Sequence, residues 1–126
     1  LDGEKHSVAE MSETELIPTQ FAYQILRKLS AGNLVQVSRG ALGGCALSCD
    51  LDVTSLYDLM GVMGERGVLC ACMEPGYECR WQDEHGRCAI HCQLAALQRK
   101  QDEAFRAVSL RRLLTGGSDP QDTSEL

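Results

Sequence analysis

The stretch that most constrains this chain runs from Cys70 to Cys92 and reads C-A-C-M-E-P-G-Y-E-C-R-W-Q-D-E-H-G-R-C-A-I-H-C. Five of the seven cysteines and two of the three histidines fall within these 23 residues. Soft thiolates and an imidazole, held in a loop broken by Gly and Pro, form a donor set for zinc or an iron–sulfur cluster. The cysteine total is odd, so a scheme built on disulfides alone leaves a thiol over. Clustered cysteines without a secretory signal favour metal over disulfides and place the chain in the cytoplasm.

At 126 residues the chain fits one domain, or one domain with an appended arm. No run of apolar residues is long enough for a membrane span. The net charge is −6, a value that by itself argues against nucleic acid. Its distribution reverses that inference. From Leu16 to Cys49 there is no Asp or Glu, while Arg27, Lys28 and Arg39 are present, so this segment carries +3 and the remainder −9. A basic face on an acidic protein is compatible with DNA binding.

Ser7 and Glu10 have the Ser-x-x-Glu spacing of a capping box, which predicts a short helix over about 8–14. Pro18 suits the first turn of a second helix, where its missing amide donor is not needed. Phe21, Ala22, Ile25, Leu26 and Leu29 repeat at helical spacing. Thr19, Gln20, Tyr23, Gln24, Arg27 and Lys28 form the opposite, acid-free face. Gly32 is expected to end this helix as a left-handed cap. Alternation in Leu34-Val35-Gln36-Val37-Ser38 predicts a strand, 39–44 a glycine-rich turn, and Cys45-Ala46-Leu47 the returning strand. Helix, turn, helix, hairpin is the winged-helix order, in which the second helix enters the major groove. Ser38, Arg39 and Gly40 then join the helix face as DNA-contacting residues, Arg39 reaching a phosphate or a groove.

Val53, Leu56, Met60 and Met63 predict a core helix over about 54–64, capped by Thr54 or Ser55. After the cysteine loop, Ile90, Leu94, Leu97, Gln101, Ala104 and Val108 recur in a heptad-like seam. A helix of about 20 residues is roughly 30 Å long, more than a small domain needs for its own core. It is therefore read as a dimerisation helix, with Ser109 to Leu114 as a closing turn. Thr115 to Leu126 has almost no apolar content and is expected to be disordered. The expected fold is mainly α with a small β-hairpin wing. Its divisions are a winged helix-turn-helix over 1–66, a cysteine-rich loop over 67–88, a dimerisation helix over 89–114 and a tail over 115–126.

This order of elements resembles the IscR/NsrR-type (Rrf-two) family of bacterial winged-helix regulators. So do Ile17-Pro18, Ile25-Leu26-Arg27-Lys28-Leu29, Leu34-Val35 and, most specifically, the wing pattern Arg39-Gly40-x-x-Gly43-Gly44. The resemblance covers roughly Ser7 to Leu114. It implies a homodimer formed through the long C-terminal helix, and an iron–sulfur cluster on a three-cysteine loop. In the IscR branch a histidine three residues beyond the third cysteine completes a [2Fe–2S] site. Cys72, Cys79 and Cys88 match the three cysteines, and His91 matches the histidine. The loop spacings here, six residues and then eight, are longer than is usual in the family, and Cys45 stands where the wing normally has an aromatic residue. The family's first helix, which supplies the fourth ligand in some members, is absent from a sequence that opens at Leu1. Spacing alone does not choose between His91 and Cys92, or between Cys72 and Cys70.

The function expected is that of a transcriptional repressor that binds double-stranded promoter DNA as a homodimer. It would sense redox state, nitric oxide or iron–sulfur status through a [2Fe–2S] cluster, with [4Fe–4S] or zinc as alternatives. A zinc or thiol–disulfide switch on the same DNA-binding module is the second reading, and a small metal or electron carrier without a DNA role is the third. No nucleophile–base pair, phosphate loop or zinc-protease motif is present, so no enzymatic activity and no small-molecule substrate are expected.

Overall fold

Ser7 opens the first helix. Its Oγ accepts the Glu10 amide at 3.1 Å, and α1 follows over Val8–Glu15. The reciprocal half of the box is diverted, because the Glu10 carboxylate lies 3.0 Å from His6 Nδ1. Leu16 adopts a left-handed φ of 58° and ends α1. Pro18 then caps α2, Thr19–Ala31, its carbonyl accepting the Ala22 amide at 2.9 Å. The computed structural model describes residues 4–38 and 43–116.

The end of α2 differs from expectation. Gly32 has φ −88°, so it is not the left-handed cap; Asn33, at φ 63°, takes that conformation. The reason for glycine at 32 is close approach: a Cβ there would stand 2.6 Å from the Val62 side chain. Glycine thus lets α2 pack against α3, Leu56–Met63.

Strands β1 (Val35–Ser38) and β2 (Gly44–Leu47) pair antiparallel, with Val35 opposite Leu47 and Val37 opposite Cys45. The hairpin tip, 39–42, lies outside the described residues, and so do 117–126, which hold almost all of the expected tail. His6 extends the sheet on the far edge of β2: its amide donates to Cys45 O at 2.9 Å, and the Cys45 amide returns to His6 O at 2.8 Å. Gly44 allows this pairing, because a Cβ there would meet His6 O at 2.9 Å.

Helix α3 starts with a complete capping box. Ser55 Oγ accepts the Asp58 amide at 3.1 Å and Asp58 Oδ2 accepts the Ser55 amide at 2.9 Å. The cysteine loop follows, with a 3-10 turn at Ala71–Met73 and a six-residue helix, α4, at Arg80–His85. The long helix is α5, Ala89–Arg106. It does not continue to 114. The chain breaks after Arg106 and restarts as α6, Leu110–Thr115, whose cap Ser109 accepts the Arg112 amide at 3.1 Å.

That break sends the C-terminal segment back onto the first half of the molecule. Leu56 donates to Val108 O at 2.8 Å, Leu110 to Thr54 O at 2.8 Å and Arg111 to Leu51 O at 3.0 Å. Leu110 and Leu51 are buried with Ala22, Leu34, Val35 and Cys45. Full burial of a leucine is worth about 1.5–3 kcal/mol, so α6 is held to the core by more than its backbone bonds. The result is a mainly helical winged helix-turn-helix whose two-stranded wing follows α2, with α5 bridging the cysteine loop and the base of the module. Among the described residues no helix is long and apolar enough to cross a membrane.

Candidate nucleic-acid interface and cysteine loop

Helical spacing places Gln20, Tyr23, Gln24 and Arg27 along neighbouring rows of α2, and all four are exposed. Tyr23 and Arg27 also line a groove of about 730 Å³ between α2 and the wing, together with Leu26, Val37 and Ser38. Two predicted positions have local partners instead. Thr19 Oγ1 lies 3.1 Å from Ser12 Oγ, and Lys28 Nζ donates to Met63 O at 3.5 Å, at the carboxyl end of α3. A cation there complements the helix dipole. Ser38 closes β1 and is half-buried. Arg39 and Gly40 lie outside the described residues.

The loop begins under tight control. Gln98, 9% exposed, accepts the Leu69 amide at 2.8 Å and donates to Asp102 Oδ1 at 2.9 Å and Gly67 O at 3.4 Å. Gln101 Nε2 donates to the same Gly67 carbonyl at 2.6 Å. In the sequence Gln101 falls within the heptad-like seam and Gln98 lies outside it. The Gln98–Asp102 spacing, i to i+4, was the available signal.

Beyond Leu69, Cys70 Sγ and Cys72 Sγ come within 3.2 Å of each other. Their hydrogen bond, and then burial, push the Cys72 thiol pKa up, with a smaller electrostatic contribution from Cys79. Cys79 stands at the N-terminal cap position of α4 without a side-chain capping bond, and within α4 Trp81 stacks on His85 with ring centroids 4.6 Å apart. Trp81 is 50% exposed. Cys88 caps α5, its sulfur accepting the His91 amide at 3.3 Å. Cys92 Sγ accepts from Arg87 Nε at 3.2 Å, which raises the guanidinium pKa further.

His91 carries the feature that stands out most. Its Nδ1 is buried and has no hydrogen-bond partner, although buried polar atoms are almost always satisfied. Of the four predicted ligands, Cys88 and His91 share the first turn of α5, Cys72 lies against Cys70, and Cys79 begins α4. Among the described residues, no three His, Cys, Asp or Glu side chains come together as a group able to hold a metal ion. The donor types suit an iron–sulfur cluster, and the orphaned imidazole nitrogen is of the kind a metal would satisfy.

Helix, turn, helix and hairpin, with an acid-free exposed helix beside the wing, define a winged-helix DNA-binding protein. The chain matches the family model Rrf2, described as an iron-dependent transcriptional regulator, over residues 1–116. It belongs to the Rrf2 family of transcriptional regulators, which bind promoter DNA and are not enzymes. Among solved structures it is similar to CymR, the global cysteine regulator of B. subtilis, at 17% identity and a TM-score of 0.62 over 93% of this chain and 83% of that one. It is also similar to T. potens IscR, at 15% identity and a TM-score of 0.60 over 97% and 77%. The oxidized form of Staphylococcus aureus CymR matches at 17% identity and a TM-score of 0.58, over 94% and 82%. At such identities the likeness carries the fold. A comparison with curated protein sequences finds no match.

Proposed function

We propose that this chain is a cytoplasmic repressor that reports redox, nitric oxide or iron–sulfur status through an iron–sulfur cluster, of [2Fe–2S] type, held by Cys72, Cys79, Cys88 and His91. The observation that carries the reading is the buried, unpartnered Nδ1 of His91, one turn of helix from the Cys88 thiol. The family's description as iron-dependent supports it. When bound, the cluster supplies a centre that oxidants, nitric oxide or iron shortage can alter or strip.

The protein's own residues do the rest. Gln98 and Gln101 fasten the entry of the loop to α5, and Cys88 and His91 fasten its exit to the same helix. The far end of α5 runs into Val108 and Leu110, which are bonded to Leu56 and Thr54 at the start of α3. A change in the order of the loop therefore has a short covalent and hydrogen-bonded route to the DNA-binding module. On the DNA side, Gln20, Tyr23, Gln24 and Arg27 read the major groove, Thr19 and Lys28 flank them, and Ser38, Arg39 and Gly40 add contacts to a phosphate or a groove. Two copies pair through α5, where Ile90 is 72% and Leu97 52% exposed in a single protomer.

Promoter-fragment binding by cluster-loaded and cluster-free protein tests the reading. The affinities are expected to differ at one salt concentration; equal affinities would remove the sensing role. An iron-free chain that resists reconstitution would instead point to zinc or thiol control of the same module.

A further inference from the structure

The proposed ligand set uses one sulfur of a close pair and leaves the other without a role. Cys70 Sγ and Cys72 Sγ are 3.2 Å apart, and both residues are half-buried. In an extended chain, residues two apart stand on the same side but about 6.5 Å from each other. The turn shortens that span. Met73 donates to Cys70 O at 3.0 Å and Glu74 to Ala71 O at 3.0 Å, closing the backbone around Ala71. The sulfurs of a disulfide are about 2.05 Å apart, so bonding asks them to close by roughly 1.2 Å more. Side-chain rotation can supply that without unfolding the loop. The other sulfurs near the start of α5 are engaged elsewhere: Cys88 with the His91 amide and Cys92 with Arg87.

We infer that Cys70 and Cys72 form a reversible intramolecular disulfide when the cluster-free chain meets a hydroperoxide. With hydrogen peroxide, one thiol gives up its proton and its thiolate attacks a peroxide oxygen; the O–O bond breaks, and the departing hydroxide takes up that proton, leaving a sulfenic acid and the first water. The second thiol attacks that sulfur, the S–S bond forms, and the hydroxyl leaves as the second water. The two sulfurs together give up two electrons and two protons, and the peroxide takes both. A small strained ring on a half-exposed loop belongs to the readily reduced class of disulfides, so a cellular dithiol returns it to the thiols. The bond itself stands apart from the cluster reading. Its consequence rests on that reading: with Cys72 in a disulfide, one ligand is withdrawn, and an oxidised chain cannot be loaded until it is reduced.

The test uses the full chain, reduced and cluster-free, exposed anaerobically to hydrogen peroxide, alkylated, and cut with trypsin and a glutamate-specific protease. Cleavage after Arg66 and Glu78 isolates Cys70 and Cys72 on peptide 67–78, away from Cys79. The expected product is that peptide lacking two hydrogens and carrying no alkyl group, with both alkylation sites restored by dithiothreitol. In Cys70→Ser the reaction is expected to stop at a sulfenic acid on Cys72 that dimedone traps. Two alkylated thiols after oxidation, or peptide 67–78 joined to one carrying Cys79, Cys88 or Cys92, would overturn the pairing. Iron and sulfide loading of the two serine variants separates this result from the ligand assignment. Cys70→Ser is expected to load like the parent and Cys72→Ser to fail. The reverse pattern would overturn the consequence for loading, whatever the peptide map shows.

Discussion

Gln98 accepts a hydrogen bond from the Leu69 amide at 2.8 Å, so the middle of α5 holds the segment that enters the cysteine loop. The neighbouring Gly67, at φ 65°, is wedged between two helices. A Cβ there would stand 3.0 Å from the Met60 side chain of α3 and 3.3 Å from the Gln101 amide of α5. Three hydrogen bonds meet on one buried side chain, and removing it leaves the Leu69 amide without its partner. Gln98→Leu is therefore expected to destabilise the chain by about 1–3 kcal/mol, read from the shift in a denaturant midpoint. An unchanged midpoint would show that water replaces the clamp at no cost.

Cys88 has two separable roles, which two substitutions divide. Its sulfur caps α5, and its thiolate is a proposed ligand. Cys88→Ser keeps a capping atom and removes the soft donor; Cys88→Ala removes both. Both variants are expected to lose bound iron, and the alanine variant alone to lose a further amount of about 0.5–1 kcal/mol of helix stability. Iron analysis and thermal melts check this together. Iron retained by Cys88→Ser would take Cys88 out of the ligand set.

Arg27 is exposed on α2 beside the wing groove, whereas the Lys28 ammonium already reaches the Met63 carbonyl. Arg27→Ala is expected to weaken promoter binding and to lower the salt slope by roughly 1 per protomer. Lys28→Ala is expected to act partly through stability, by releasing the end of α3. Fluorescence anisotropy across a salt series distinguishes the two. A salt slope unchanged by Arg27→Ala would place that side chain off the phosphate backbone.

Ile90 and Leu97 lie seven residues apart on α5, two turns along one face, and both are more than half exposed. Placing a lysine at each is expected to leave the protomer folded and dissociate the dimer, because like charges meet across a symmetric interface. Sedimentation velocity reads the outcome. A parent chain that is already monomeric would remove the dimer from the proposal, and a double variant that stays dimeric would move the interface off this face.

Much of the fold was legible in local signals. Ser7, Pro18 and Ser55 each mark the start of a helix through chemistry confined to a few residues, and the alternation of Val35 and Val37 marked the strand. What escaped depends on contacts between distant residues. Gly32 does end α2, as it reads in sequence, but its conformation is ordinary, and the missing side chain serves to admit Val62. The closing helical turn expected from Ser109 is α6, but where it docks is not local: Leu110 reaches the core, and the segment bonds to Leu51, Thr54 and Leu56. In the candidate site, the cysteines and His91 could be named from spacing and resemblance. The Cys70–Cys72 contact and the clamp at Gln98 needed the turn and the helix packing to become visible.

What the loop holds separates a cluster-bearing regulator from one switched by zinc or thiols. The decisive measurement is iron and acid-labile sulfide, with a visible spectrum, on anaerobically purified protein and on His91→Ala. The expected result is coloured parent protein with iron and sulfide in matching amounts, and a His91→Ala variant in which the visible bands are shifted or lost while the fold is kept. Colourless parent protein that takes up neither iron nor sulfide on reconstitution would contradict the account, as would a His91→Ala variant with an unaltered spectrum.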